Sequence, residues 1–86
     1  MELKELRCRI DDIDRELIEL WQSRMHISAE IAEYKKENSL AVLDSEREAE
    51  LLEKVCELAG DELGEYAQRL YATILELSRE YQEKNI

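Results

Sequence analysis

Residues 3–34 read LKELRCRIDDIDRELIELWQSRMHISAEIAEY, with apolar side chains at alternating steps of three and four: Leu3, Leu6, Ile10, Ile13, Leu17, Leu20, then Ile27, Ile31 and Tyr34. A repeat of ~3.5 residues belongs to a helix that buries one seam against other helices. The step after Leu20 falls on position 24, and Arg24 occupies it. A guanidinium in an apolar seam loses hydration, so an anion should meet it there. That anion is either a carboxylate of the protein, pairing across helices to set their register, or a carboxylate of a ligand.

The ladder predicts a first helix from about Glu2 to about Glu37, ~50 Å long at ~1.5 Å per residue. A compact chain of 86 residues has a radius of gyration of only ~12 Å. The remaining residues are too few to wrap so long a helix, and a bare stripe would be a sticky patch. Much of the seam is therefore expected to lie against a second copy, in an intertwined homodimer. Asn38-Ser39 closes the helix, and Leu40-Ala41-Val42-Leu43 forms a short apolar connector. Ser45, with Glu48 three residues on, reads as a capping box opening a second helix. That helix runs to about Ala59, burying Ala49, Leu52, Val55 and Cys56, and stops at Gly60. A third helix, from near Asp61 to about Gln82, carries a second ladder of Leu63, Ala67, Leu70, Ile74, Leu77 and Tyr81, and the chain is expected to fray beyond it. The expected architecture is all-α, with three helices per chain and one domain over residues 1–86. The lack of proline and the presence of just two glycines, Gly60 and Gly64, suit it.

A formal charge of −10 argues against nucleic acid and against anionic membrane surfaces as partners. No apolar run is long enough to span a membrane and nothing resembles a targeting segment, so a cytoplasmic protein is expected, and the starting Met1 with a fraying end favours a free-standing one. Cys8 and Cys56 are isolated and His26 is the sole histidine, so neither a metal site nor a disulfide is expected. An acidic chain that binds an anion must do so with a few cations concentrated in a recess.

Helical geometry says which cations can cooperate. Lys35 lies eleven residues after Arg24, ~20° past whole turns and ~16 Å along the axis, so the two share a side and can bracket a small dianion. Arg7 precedes Arg24 by seventeen residues, ~25 Å away and ~100° around. It can join the same pocket only from the other protomer. Ser78 and Gln82 extend the stripe of Tyr71 and Leu75, where neutral polar groups either have a hydrogen-bonding role or meet solvent. Taken singly, Lys35 also suits a helix C-terminus, Glu48 a cap and Arg7 a surface. The residues by themselves define a helical dimer with anion pockets and no reaction.

As a pattern they go further. The opening Leu6-Arg7-x-x-Ile10-Asp11-x-Ile13-Asp14, then Arg24, then Ile31-Ala32-Glu33-Tyr34-Lys35, Asp44-x-x-Arg47-Glu48 and Ser78-x-x-x-Gln82 follow one another in this order and spacing. In this the chain resembles the all-helical (AroQ-type) chorismate mutases along nearly its whole length. The resemblance implies a cofactor-independent Claisen rearrangement of chorismate to prephenate, in phenylalanine and tyrosine biosynthesis. By that resemblance, Arg24 and Arg7 of the partner subunit take the two substrate carboxylates, with Ser78 assisting. Lys35 and Gln82 donate to the ether oxygen as the catalytic pair. Glu48 and the backbone at Asp44 bind the ring hydroxyl, and Arg47 lines the pocket. Relatives with glutamate at the last position need it protonated, so with Gln82 the rate is expected to be flat around neutrality. Relatives commonly carry a proline where Ala41 stands, which leaves this connector freer before binding. Rival readings are an isochorismate-pyruvate lyase of the same fold and a non-catalytic helical dimerisation or regulatory module; a further alternative is the mutase part of a fusion with a prephenate-processing or aldol-forming enzyme.

Overall fold

The computed structural model describes residues 2–85 and is all-helical, with no strand among them. Helix α1 spans Leu3–Glu37, within one residue of the length read from the ladder. It ends through the chemistry of Asn38 and Ser39. The Ser39 N–H donates to Lys36 O at 3.3 Å, the Leu40 N–H donates to Lys35 O at 2.7 Å, and the Asn38 side-chain amide donates to Tyr34 O at 2.9 Å. These bonds satisfy carbonyls that a helix end leaves open. They require Ser39 to take φ 57, a left-handed conformation that costs a residue with a Cβ ~1–2 kcal/mol. The cap reverses the chain at once, which brings the connector back alongside the last turn of α1.

Helix α2 spans Ser45–Asn85, so the chain has two helical elements and not the expected three. The stop read at Gly60 is a kink inside α2. Gly60 takes φ 85 and ψ 175, a region open essentially to glycine alone. One residue therefore absorbs the whole change of direction, and helix resumes without a loop. The two arms of α2 then lie against each other. Gln68 Nε2 donates to Leu52 O at 3.2 Å. A Cβ on Gly64 would sit 2.8 Å from Cys56 Sγ and 3.0 Å from Cys56 O, so the arms approach closely at Gly64. The second arm also continues to Asn85, past the expected fraying at Gln82.

The start of α2 needs a second correction. Asp44, not Ser45, is the cap: Asp44 Oδ1 accepts the Arg47 N–H at 3.0 Å and Asp44 O accepts the Glu48 N–H at 3.1 Å. A carboxylate one residue earlier is the better acceptor for orphan N–H groups. Glu48 is thereby released from capping.

Packing separates two faces of α1. The face towards α2 contains the buried Met25 and Ala32, with Trp21, Ser28 and Lys35 half-buried. The ladder is the other face: Leu3, Ile13, Leu20 and Ile27 are 62%, 60%, 70% and 55% exposed in the single chain. The same division holds in α2. Val55 is buried and Leu52 and Cys56 are half-buried, whereas Ala49 is exposed, contrary to its expected place in the core. Leu63, Leu70 and Leu77 of the second ladder are exposed, and the stripe turned towards α1 is that of Tyr71, Ser78 and Gln82. The molecule extends 55 × 27 × 15 Å with a radius of gyration of 15.9 Å, well above the ~12 Å of a compact chain this long.

Candidate active site

The C-terminal half of α1, the connector and the two arms of α2 enclose a cavity of about 440 Å³. Its α1 wall is the helical row Arg24, Ser28, Ala32 and Lys35, at spacings of four, four and three that keep all of them on one face. The small Ser28 and Ala32 make the hollow, and the long cations stand at its two ends. The capped turn at Asn38-Ser39 swings Val42, Leu43 and Asp44 over the Lys35 end. The first arm of α2 adds Arg47 and Glu48, and the second adds Leu75, Ser78, Arg79 and Gln82.

Arg24 has no carboxylate partner among the described residues. Its Nη1 donates to Ser78 Oγ at 3.4 Å, and its guanidinium lies 5.6 Å from the Tyr71 ring centroid. A hydroxyl and an aromatic face orient the cation and leave its charge unneutralised. Ser78 is 4% exposed, so its hydroxyl needs partners, and it has two: it accepts from Arg24 and donates to Met25 Sδ at 3.4 Å. Gln82 Nε2 donates to Ser28 O at 3.2 Å, which pins its amide against α1 and leaves a second N–H on the same nitrogen. Lys35 Nζ donates weakly to Val42 O at 3.4 Å. Both polar residues read from the stripe of the last helix thus have bonding partners in the fold.

Arg24, Lys35, Asp44, Arg47, Glu48, Ser78 and Gln82, all singled out in the sequence, line this one cavity. Arg7 does not. It is exposed on the N-terminal half of α1, outside the cavity of its own chain. The sequence reading missed Arg79, whose Nη1 donates to both oxygens of Glu48 at 2.7 and 2.9 Å, thirty-one residues away. Only the kink at Gly60 brings those positions together. The one signal for it was Arg79 sitting three residues before Gln82, on the same edge of a helix.

Four cations (Arg24, Lys35, Arg47, Arg79) and three acids (Asp44, Glu48, Glu83) line the cavity, a local excess of positive charge in a chain of −10. Among the described residues no cluster of His, Cys, Asp and Glu is suited to hold a metal. No helix there is long and apolar enough to cross a membrane. Chemically, the arrangement can receive a small anion and offer it several N–H donors from different elements.

A family model described as chorismate mutase type II matches residues 6–83. The chain is 42% identical over 57 residues to a bifunctional chorismate mutase/prephenate dehydratase of Aquifex aeolicus (strain VF5), covering 66% of this chain and 16% of that protein. It is 37% identical over 51 residues to a T-protein of Haemophilus influenzae (strain ATCC 51907 / DSM 11121 / KW20 / Rd), covering 59% of this chain and 14% of that protein. The chain therefore spans a small fraction of the length of the relatives it matches. No solved structure matches it significantly.

Proposed function

Since the chain belongs to the chorismate mutase type II family, we propose that it forms one domain over residues 1–86 and converts chorismate to prephenate without a cofactor. The observation that carries this is the unneutralised Arg24 facing a cavity where Lys35 and Gln82 converge from different elements. The rearrangement breaks the ether C–O bond as a C–C bond forms, with no proton transferred and no nucleophile required. A protein accelerates it by holding the flexible substrate in its chair-like reactive conformer. It also stabilises the negative charge that grows on the ether oxygen.

In this reading Lys35 Nζ and the free N–H of Gln82 Nε2 are the ether-oxygen donors. Arg24, steadied by Tyr71 and Ser78, takes one substrate carboxylate. Glu48 and the Asp44 backbone hold the ring hydroxyl, and Arg47 adds positive potential. The second carboxylate falls to Arg7 of a partner subunit, because Arg7 is remote from its own chain's cavity.

That assignment makes a homodimer part of the proposal. A compact monomer of 10.2 kDa exposes ~5,300 Å². This chain exposes 7344 Å², an excess of ~2,000 Å². An excess of that size per chain is of the order that obligate dimers bury. The bare ladder of α1 is the surface for it. The reading includes a reducing cytoplasmic location, which rests on the two isolated cysteines of the sequence.

The test is chorismate consumption by the purified protein without added metal or cofactor, with the product identified. Prephenate is the expected product. Inert chorismate rejects the proposal, and pyruvate released from isochorismate would then replace it with the lyase reaction.

A further inference from the structure

Glu48 and Arg79 form a close ion pair that joins separate arms of the fold, whereas the pair Arg15–Asp12, at 3.7 Å, lies within a turn of α1. Both members line the cavity, and they come from opposite arms of α2. A glutamate facing a dianion-binding recess is a liability in two respects. Its charge repels the ligand, and its side chain has several rotamers to choose among. Arg79 Nη1 answers both, since it bonds to Oε1 and Oε2 together at 2.7 and 2.9 Å. The guanidinium offsets the charge and holds the carboxylate plane in one orientation. Each carboxylate oxygen keeps a lone pair, so Glu48 can accept a further hydrogen bond while so held. Arg79 in turn is set by its place in the helix, directly after the buried Ser78.

We infer that Arg79 is a positioning residue for substrate specificity: by clamping Glu48 it makes that carboxylate an acceptor aimed at the ring hydroxyl. The inference rests on the mutase reading above and adds a residue to it. Arg79 does not touch the reacting atoms. It favours substrates that carry the hydroxyl, because the oriented carboxylate accepts a hydrogen bond that an analogue without the hydroxyl cannot give.

The experiment compares kcat/KM for chorismate with that for its analogue lacking the ring hydroxyl, in the wild type, Arg79→Ala, Glu48→Gln and the double variant. Arg79→Ala is expected to cut the preference for chorismate about tenfold, with less than about threefold change for the analogue. Glu48→Gln should do the same, and the double variant should lose no more than the worse single one. Arg79→Lys, which keeps the charge and the arm-to-arm contact, should recover part of the preference and serves if the alanine variant does not fold. Equal losses on both substrates, or losses that multiply in the double variant, overturn the role. A wild type that leaves chorismate untouched instead removes the mutase reading itself, and this role with it.

Discussion

The two halves of α1 share one exposed apolar ladder and differ in what meets the opposite face. From Leu3 to Leu20 every residue is exposed in the single chain, and no contact with α2 involves a buried side chain. From Trp21 to Lys35 one face packs on α2 and supplies a wall of the cavity. The ladder therefore marks a face suited to burial, and leaves open what would cover it. Function is marked by the polar residues that stand where apolar ones would pack. Arg24 belongs to both descriptions: by spacing it is a step of the ladder, and by contact it lies against Tyr71 and Ser78.

The comparison breaks most directly at Ile13, 60% exposed in the chain as it stands. On a surface that nothing covers, Ile13→Asp would change stability by less than ~0.5 kcal/mol. Under a second copy it places a carboxylate in an apolar seam, and we expect loss of the dimer together with the cooperative thermal transition. Sedimentation and melting at several protein concentrations decide, and an unaltered variant ends the dimer proposal. The opposite half is expected to behave in the converse way. Lys35→Ala should cost ~2.7–4 kcal/mol of barrier, ~100 to 1000-fold in turnover, while the sedimenting mass stays the same. Near-normal rates in that folded variant would withdraw Lys35 from the chemistry.

Two smaller changes probe how the second half is held in shape. Gly64→Ala should destabilise by ~1–3 kcal/mol, because the added methyl meets the Cys56 carbonyl, which belongs to backbone and yields little. A thermal transition that does not move would mean the α2 arms are less closely packed than described. The smallest effect is a gain. Ser39→Gly removes the cost of a left-handed serine, partly offset by a freer unfolded chain, and should stabilise by ~0.5–1 kcal/mol in thermal melts. A loss of stability there would show that Ser39 contributes through its side chain.

Several elements were readable from local rules. The length of α1 and its end at Asn38-Ser39 follow from periodicity and capping. Arg24, Lys35, Ser78 and Gln82 were named by position, Asp44, Arg47 and Glu48 by the family resemblance, and all of them line one cavity. The errors have two origins. Placing Ala49 in the core and overlooking Arg79 come from reading one element at a time, whereas assigning the cap to Ser45 is a local misjudgement. A cap is chosen by competition between neighbouring acceptors, and Asp44 wins it. The burial of Ala49 and the partner of Glu48 depend on how the chain turns at Gly60, which no local pattern states. A glycine also reads alike whether it serves for its free φ, as Gly60 does, or for its missing side chain, as Gly64 does.

By itself, the sequence determined that this chain is helical, how long its first helix is, and that an arginine stands where an apolar residue would pack. Those follow from hydrogen bonds and side-chain periods that span only a few residues. The tertiary structure alone decided which face of α1 meets α2, that a single glycine folds α2 back on itself, and that Glu48 is held by Arg79. Such contacts join residues distant in the chain, thirty-one positions for Glu48 and Arg79 and fifty-four for Arg24 and Ser78, and their geometry is set by the direction of the backbone between them.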